Sequence, residues 1–493
     1  MLKDIKNTIR QSGVYGLSRI STKLIAFILL PLLTLNFTVP EYGVYVLTES
    51  LWQILWAVFL FGFESGVVRW YLEIADDLKR KRFLFSVTLF LLAFNAILFL
   101  LIYLFSPQLS QIVYENIGLS KFVVYAALIA VVETFSFVVF LLLRIEERTK
   151  LYSILAVLST LISLLLQIYF LQYSGIKLEG VFIAKIIAPA SIILVLLPYY
   201  FRRLKFGFEK TLLFDLLRYS FPIMFASLVM ALLNQIDRYI LGSITGLKDV
   251  GIYGLAYNIS GLINFLVVSP FSLAFTVLSW KKLKDDNAKR FYTKTITYLF
   301  LAVIYVSLII ALFTPHLIKI FAMKTDYWSA SKYVPWIILA MPFYGIHFVG
   351  VFSFYVSKKT KYVFISYLIA LAVNVICNFI FIPMFGIYGA SFVNLGSFMV
   401  LCIAIYYFSK RNYFFEYEWY KILLMILTYT ALAVPFFYFN FGNRLIEILL
   451  KVIAVILFPL ILYLFRFYEP LEIKSIKGFI NKYIIKINFN EEK

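Results

Sequence analysis

Charged residues, cysteine and histidine are all scarce in this chain of 493 residues. Charged residues make up 15% of the sequence and hydrophobic residues 62%, whereas a typical soluble domain is about 25% charged. So large an apolar excess cannot be hidden inside a water-soluble core. The only two cysteines, Cys377 and Cys402, have no His or Cys neighbour at ligand spacing. We therefore expect no disulfide, no metal site and no cofactor.

The sequence also lacks the motifs and the long gaps that membrane-bound enzymes need. It contains no P-loop, no dinucleotide-binding fingerprint and no HExxH motif. The longest gaps between apolar segments, residues 106–119 and 315–332, leave no room for a soluble catalytic domain. These absences argue against an enzyme.

Long apolar segments recur from one end of the chain to the other. A helix needs about 20 such residues to cross roughly 30 Å of hydrocarbon. We therefore predict an all-α, polytopic membrane protein with about 14 transmembrane helices. The predicted spans cover residues 14–35, 43–65, 83–105, 120–143, 151–171, 179–200, 218–241, 251–278, 293–314, 333–356, 362–382, 387–408, 420–438 and 446–465.

The positive charge of the chain follows the predicted spans. The formal net charge is +20, which by itself would be compatible with nucleic-acid binding. Lys and Arg are, however, concentrated in every second gap between spans, as the positive-inside rule requires of cytosolic loops. This pattern predicts a protein of the cytoplasmic membrane with both termini in the cytosol, and no nucleic acid as a partner.

Short sequence matches at a nearly constant offset indicate an internal duplication. Residues 41–47 (EYGVYVL) match 249–255 (DVGIYGL), and weaker matches lie on the same diagonal. Two repeats of six spans each would share one orientation and enclose a site between them. The predicted domains are a first six-helix lobe (1–205), a second six-helix lobe (206–410), two extra transmembrane helices (411–465) and a basic amphipathic cytosolic tail (466–493).

Charged residues inside the predicted spans are the candidate functional residues. A charge at the bilayer centre costs about 2.5–3.5 kcal/mol even on lenient scales, so each one needs a reason. A cavity between the lobes with a positive field would attract an anion, and Arg and Lys are the side chains that bind phosphate. Its acids could exchange a proton or bind Na⁺. The basic candidates are Arg19, Lys23, Lys185 and Arg238, and the candidate coupling or cavity acids are Glu49, Glu133 and Asp237.

Simpler explanations exist for several of these polar residues. Arg19, Lys185 and Arg238 could extend to an interface, and Asp237 could do no more than pair with Arg238. We expect His347 to be a packed or hydrogen-bonded histidine, and the asparagines within spans to join helices rather than to bind a ligand.

Several segments together resemble a known family. They are Gly62–Arg69 (GFESGVVR), Asp237-Arg238 with Leu241-Gly242, the segment 250–256, Lys359-Thr360-Lys361 and the segment 383–390. With the six-plus-six-plus-two arrangement of spans, the chain resembles the Wzx-type polysaccharide flippases of the multidrug/oligosaccharidyl-lipid/polysaccharide exporter superfamily.

The resemblance implies a function and a set of partners. The substrate would be an oligosaccharide linked to polyprenyl pyrophosphate, moved from the inner to the outer leaflet as the two lobes rock by alternating access. Coupling to H⁺ or Na⁺ is usual in the superfamily. Membrane lipids, a polysaccharide polymerase and glycosyltransferases are the other partners that it implies.

Other functions remain open at this point. A peptidoglycan-precursor flippase is closely similar. A drug antiporter of the MATE kind would have an acidic cavity, and the basic bias of the buried charges argues modestly against it. A membrane polymerase or glycosyltransferase would need a larger outer loop or an exposed acidic motif. A structural scaffold would have no use for buried charges.

Overall fold

The computed structural model describes residues 27–439 and 443–470, and this part of the chain is built from α-helices with no β-strand. We number the helices in chain order. They are α1 (Phe27–Asn36), α2 (Val39–Phe59), α3 (Phe63–Glu73), α4 (Asp77–Leu104), α5 (Ser106–Tyr114), α6 (Ser120–Ile145), α7 (Thr149–Tyr173), α8 (Lys177–Phe201), α9 (Lys210–Thr245), α10 (Leu247–Ser260), α11 (Ser269–Lys282), α12 (Ala288–Phe321), α13 (Val334–Ile338), α14 (Met341–Val356), α15 (Lys361–Phe385), α16 (Ile387–Ser409), α17 (Trp419–Ala433), α18 (Pro435–Tyr438) and α19 (Arg444–Leu464).

Thirteen helical segments of the described residues are long and apolar enough to cross a membrane. They coincide with the second to fourteenth predicted spans, so the all-α polytopic fold is confirmed. Of the first predicted span, 14–35, the described residues include 27–35, which belong to the apolar helix α1. Arg19, Lys23 and most of the predicted tail lie outside the described residues.

The second span begins at a defined cap and breaks at a glycine. Thr38 and Glu41 form a capping box, in which the Glu41 carboxylate accepts from the Thr38 backbone N–H at 2.8 Å. The span then breaks between α2 and α3, where Phe61 and Gly62 have φ values of 54° and 68°. A Cβ on Gly62 would lie 2.6 Å from the carbonyl oxygen of Ser220 on α9. Both the backbone conformation and the close packing therefore require glycine at this position.

The two matching segments of the predicted repeat pack directly against each other. Helix α2 carries the first segment, α10 carries the second, and the two helices are in extensive contact. The Tyr239 hydroxyl of α9 also donates to the carbonyl oxygen of Leu47 at 3.0 Å, and Tyr327 donates to that of Thr38 at 3.0 Å. These contacts hold the two halves together at the end predicted to face outside.

The two halves of the molecule also meet toward the opposite end. Helix α3 packs on α9, where a Cβ on Gly66 would overlap the side chain of Leu216 and closely approach Ser220. The two predicted lobes thus touch toward both ends of α9. The boundary between the lobes near residue 205 stays a prediction.

Helices α17 and α19 add to the outside of the second half by packing against α12. A charged cluster lies at one end of this contact. Lys294 of α12 pairs with Glu418 at 2.9 Å and also with Glu469, and Thr297 donates to Glu418 at 2.6 Å. Glu418 is the residue before α17 and Glu469 follows α19, so one lysine ties both added helices to the bundle.

Candidate functional site

A cavity of about 960 Å³ lies between helices of the two predicted lobes. Small-molecule sites usually measure roughly 300–1,000 Å³, so this one is large. Its walls come from α2, α6, α7 and α8 on one side and from α9 and α10 on the other. The charged residues that line it are Glu49, Glu64, Glu133, Lys185 and Arg238.

Lys185 of α8 and Glu49 of α2 form an ion pair inside this cavity. The Lys185 Nζ lies 2.6 Å from a carboxylate oxygen of Glu49, and both side chains are about one-fifth exposed, at 21% and 19%. The same ammonium lies 5.4 Å from the centre of the Tyr45 ring. Glu133 of α6 is close enough to interact electrostatically with both partners. Three charges predicted from the sequence are therefore brought together in one wall of the cavity.

Arg238 reaches the cavity from α9 and is held by neutral groups. Its Nη1 donates to the carbonyl oxygen of Asn234 at 2.8 Å and to the side chain of Gln235, and the guanidinium lies 4.2 Å from the centre of the Tyr257 ring. Gln235 in turn accepts from Ser50 of α2 at 3.0 Å and donates to Gln53 at 2.8 Å. This hydrogen-bonded chain connects the arginine to the other half of the molecule.

Asp237 does not line the cavity, although it is the neighbour of Arg238 in sequence. Successive residues on a helix point about 100° apart, because a turn takes 3.6 residues. Asp237 is fully buried and accepts from the hydroxyl of Tyr253 at 2.5 Å. It also accepts from the side chain of Asn394 on α16 at 3.4 Å, whereas the Arg238 Nη1 is 3.9 Å away. It joins three helices behind the cavity wall.

The positive field expected from the sequence is not carried by the described lining, which has two basic and three acidic residues. Lys185 and Arg238 are both present, but Glu49 compensates the first, and the second is hydrogen-bonded to neutral acceptors with the Asp237 carboxylate 3.9 Å away. Arg19 and Lys23, the other two basic candidates, lie outside the described residues.

Sequence reasoning missed the neutral part of the lining. Trp52 and Trp56 of α2 face the cavity, and their indole nitrogens are buried without a hydrogen-bond partner among the described residues. Ser159, Ser163 and Gln167 follow one face of α7, with Thr160 beside them. Their four-residue spacing on an otherwise apolar span is the signal that could have identified this face. Indole, hydroxyl and amide groups together suit a ligand that is rich in hydroxyl groups.

His347 is packed and hydrogen-bonded as expected, whereas the asparagines differ in role: some join helices, some bond within one helix, and Asn234, Asn258 and Asn264 line the central cavity. His347 is 1% exposed, and its Nδ1 contacts the carbonyl oxygen of Tyr344. Asn258 donates to the Tyr42 hydroxyl at 2.9 Å, which joins α10 to α2. Asn378 donates to Asn374 at 2.8 Å within α15.

Comparison with protein families identifies the chain. The family model described as "Polysaccharide biosynthesis protein" matches residues 8–279, which is more than half of the sequence. The chain belongs to this family. A second model, MatE, matches residues 222–380. The resemblance to polysaccharide flippases of the exporter superfamily is thereby confirmed. A comparison with curated protein sequences finds no match.

Solved structures share the fold of this family member at low sequence identity. The lipid II flippase MurJ in an inward closed conformation has a TM-score of 0.75 and 19% identity, over 93% of this chain and all of that one. An inward-facing MATE multidrug transporter has a TM-score of 0.64 and 16% identity, over 84% of this chain and 99% of that one. A superfamily transporter from Pyrococcus furiosus, described as having a binding pocket of reverse polarity, has a TM-score of 0.57 and 16% identity, over 84% and 96%.

Proposed function

We propose that this protein moves an oligosaccharide linked to polyprenyl pyrophosphate from the inner to the outer leaflet of the cytoplasmic membrane. The observation that carries the proposal is the composition of the central cavity. It combines two cations and three carboxylates with indole groups and with a face of hydroxyl and amide side chains. The membership in a polysaccharide biosynthesis family supports a glycan as the cargo.

Each part of this substrate has a counterpart in the cavity. Lys185 and Arg238 are the cations available to a pyrophosphate, because ammonium and guanidinium groups bind phosphate through charge-assisted hydrogen bonds. Trp52 and Trp56 line the cavity and would offer their ring faces to sugar rings. The α7 face with Ser163 and Gln167 offers donors and acceptors to sugar hydroxyls. The prenyl chain stays in the surrounding lipid.

Alternating access would use the contacts between the two halves. The hydrogen bonds from Tyr239 and Tyr327 join the two halves at the end predicted to face outside, and Gly62 and Gly66 pack on α9 toward the opposite end. Opening one end while the other stays closed would expose the cavity to one leaflet at a time. We expect no chemical step on the substrate, so the protein acts as a transporter and not as an enzyme.

The buried acids are the groups that would couple transport to an ion gradient. Glu133 and Glu49 would exchange H⁺ or bind Na⁺ within the cavity beside Lys185. Asp237 would do so behind the wall, where its oxygens already face Tyr253 and Asn394. We propose that both termini are cytosolic, and that polymerases and glycosyltransferases of the glycan are partners.

Two related functions have observations in their favour. The likeness to a lipid II flippase over 93% of the chain favours a peptidoglycan precursor, which is also a polyprenyl-linked glycan. The three carboxylates of the cavity favour a cationic drug. The phenotype of cells that lack the gene distinguishes these two functions from the proposed one.

The test compares the lipid-linked intermediates of gene-deleted cells with those of cells carrying the wild-type chain. Accumulation of a lipid-linked oligosaccharide on the cytosolic leaflet, relieved by the wild-type chain, supports the proposal. Accumulation of the peptidoglycan precursor instead assigns the other flippase function. Unchanged intermediates together with increased sensitivity to cationic drugs would overturn the glycan assignment.

A further inference from the structure

A second cavity, of about 480 Å³, lies at the cytosolic ends predicted for α3, α4, α6 and α8 and shares no residue with the central one. Nine residues line it, and four of them are basic while two are acidic. They are Tyr71, Leu72, Asp77, Arg80, Lys81, Ile145, Glu146, Arg202 and Arg203. The flippase function uses none of them.

Both acids of this cavity are already compensated. The Glu146 carboxylate accepts from both the Nε and the Nη2 of Arg203, the latter at 2.7 Å, and from the hydroxyl of Tyr199 at 2.7 Å. Arg148 adds a further contact at 3.1 Å. Asp77 pairs with Lys81 at 2.7 Å. Two positive charges of the lining therefore have no carboxylate.

These two charges belong to Arg80 and Arg202. Arg80 is oriented by the carbonyl oxygen of Ile74, which accepts from its Nη2 at 2.6 Å and its Nε at 3.2 Å, and by the ring of Tyr71 at 5.2 Å. Arg202 is exposed, and its side chain forms no ion pair or hydrogen bond with the described residues, although its backbone N–H donates to the carbonyl oxygen of Pro198 at 3.4 Å. One arginine is fixed in place and the other is free to close over a ligand.

Two large, exposed apolar side chains lie at or beside the cavity. Leu72 of α3 lines it and is 63% exposed, and Phe201 of α8, which precedes the lining residue Arg202 in sequence, is 61% exposed. Large exposed apolar side chains on transmembrane helices face lipid tails. Basic pockets between transmembrane helices on the cytosolic side bind anionic lipid headgroups. A soluble phosphate has no apolar part that could pack against Leu72 and Phe201.

From this combination we infer that the cavity binds the phosphate headgroup of an anionic phospholipid of the inner leaflet. The phosphate oxygens accept from Arg80 and Arg202, and the acyl chains lie along Leu72 and Phe201. This lipid site is separate from the transported substrate, and the inference does not depend on the proposed function.

The test uses the full chain in detergent, with bound lipid counted by native mass spectrometry. The probes are phosphatidylglycerol, phosphatidylcholine and inorganic phosphate. We expect the wild-type chain to retain phosphatidylglycerol in preference to phosphatidylcholine, and Arg80→Ala with Arg202→Ala to weaken that retention about tenfold. The matched control is Lys410→Ala with Arg411→Ala, which removes two exposed cations at the end of α16.

Each other result has a defined meaning. Equal retention of phosphatidylglycerol by the double variant and the wild type overturns the inference. Equal retention of the two lipids, or loss of phosphatidylglycerol when inorganic phosphate is added at equal concentration, also overturns it. If the double variant does not fold, Arg202→Ala alone decides the matter. This substitution at an exposed residue should weaken the retention of phosphatidylglycerol about threefold. Retention equal to that of the wild type would contradict the lipid site.

Discussion

Gly43 of α2 and Gly251 of α10 occupy equivalent places on the two sides of one helix contact. A Cβ on Gly43 would overlap the carbonyl oxygen of Leu247, and a Cβ on Gly251 would overlap that of Val39. The internal repeat pairs Gly43 with Gly251 and also pairs Val39 with Leu247. The contact is therefore reciprocal, as expected when two copies of one segment pack around a pseudo-two-fold axis.

Replacing Gly251 by alanine should separate these two helices. The methyl group would meet backbone atoms, which cannot rotate away as a side chain does. Overpacking of this kind costs about 1–3 kcal/mol. We expect Gly251→Ala to lower the thermal stability of the purified protein and to reduce transport.

The control is Gly396→Ala on α16, where no atom lies within 4 Å of the added methyl group. The control should be neutral, or stabilising by up to about 1 kcal/mol. Equal behaviour of the two variants would contradict the close contact.

The ion pair between Lys185 and Glu49 allows stability to be separated from substrate binding. Removing one partner leaves an uncompensated charge, which costs about 3–5 kcal/mol when fully buried and less at this partly exposed site. We expect Lys185→Met and Glu49→Gln each to lower thermal stability, and the double variant to regain most of it. If Lys185 binds the pyrophosphate, transport by the double variant stays at least tenfold below wild type. Recovery of transport together with stability would assign the pair a purely structural role.

Asp237→Asn tests the coupling role of the acid behind the cavity wall. The amide oxygen keeps an acceptor for the Tyr253 hydroxyl, but the amide nitrogen then faces the backbone N–H of Arg238, which donates to the other carboxylate oxygen at 2.9 Å, so we expect a folded protein of lower stability. In vesicles we expect the variant to lose the stimulation of transport that a proton or Na⁺ gradient gives to the wild type. Asp326→Asn changes an exposed aspartate and serves as the control. Full stimulation of the Asp237 variant would remove this residue from the coupling mechanism.

The attachment of the added helices should depend on pH through Glu418. Partial burial raises the pKa of this carboxyl, but hydrogen bonds from Thr297, Lys294 and Lys421 outweigh that effect and leave the pKa below its ordinary value of 4.5. A group with a lowered pKa stabilises the fold above its unfolded pKa, and the contribution disappears as the pH falls through the folded pKa.

We therefore expect the wild type to lose about 1–2 kcal/mol of stability as the pH falls below about 4.5, as for hydrogen bonds to a charged group. Glu418→Gln should already be less stable at pH 7 and should show a smaller loss on acidification. Glu416→Gln, at an exposed neighbour, should follow the wild type. Thermal unfolding between pH 3.5 and 7 measures all three proteins. Parallel curves for Glu418→Gln and the wild type would contradict the role of this carboxylate.

Hydropathy was sufficient to predict the spans, because length and apolar composition are set locally. The break at Phe61–Gly62 was not foreseen, since it depends on the approach of Ser220 from a distant helix. Charge inside a span also identified Lys185 and Glu49 individually. Their pairing could not be predicted, because it depends on how α8 and α2 are rotated relative to each other.

The neutral residues of the cavity lining could not be predicted from the sequence either. Trp52 and Trp56 are ordinary residues for a membrane helix, and only the packing of the bundle turns them toward the cavity. Asp237 and Arg238 were both expected at the cavity, with pairing of Asp237 to Arg238 as the simpler alternative, whereas the helical rotation between neighbours places Asp237 behind the wall and Arg238 in the cavity.

Flipping in a purified system tests the central claim most directly. Proteoliposomes containing the full chain are loaded with a fluorescent oligosaccharide on a polyprenyl pyrophosphate, and an enzyme outside the vesicles cleaves the exposed glycan. We predict that the wild type makes the inner pool of lipid-linked glycan accessible at least tenfold faster than vesicles without protein or with the Glu49→Gln/Lys185→Met variant. An inner pool that stays protected in wild-type vesicles under both proton and Na⁺ gradients would contradict a glycan flippase.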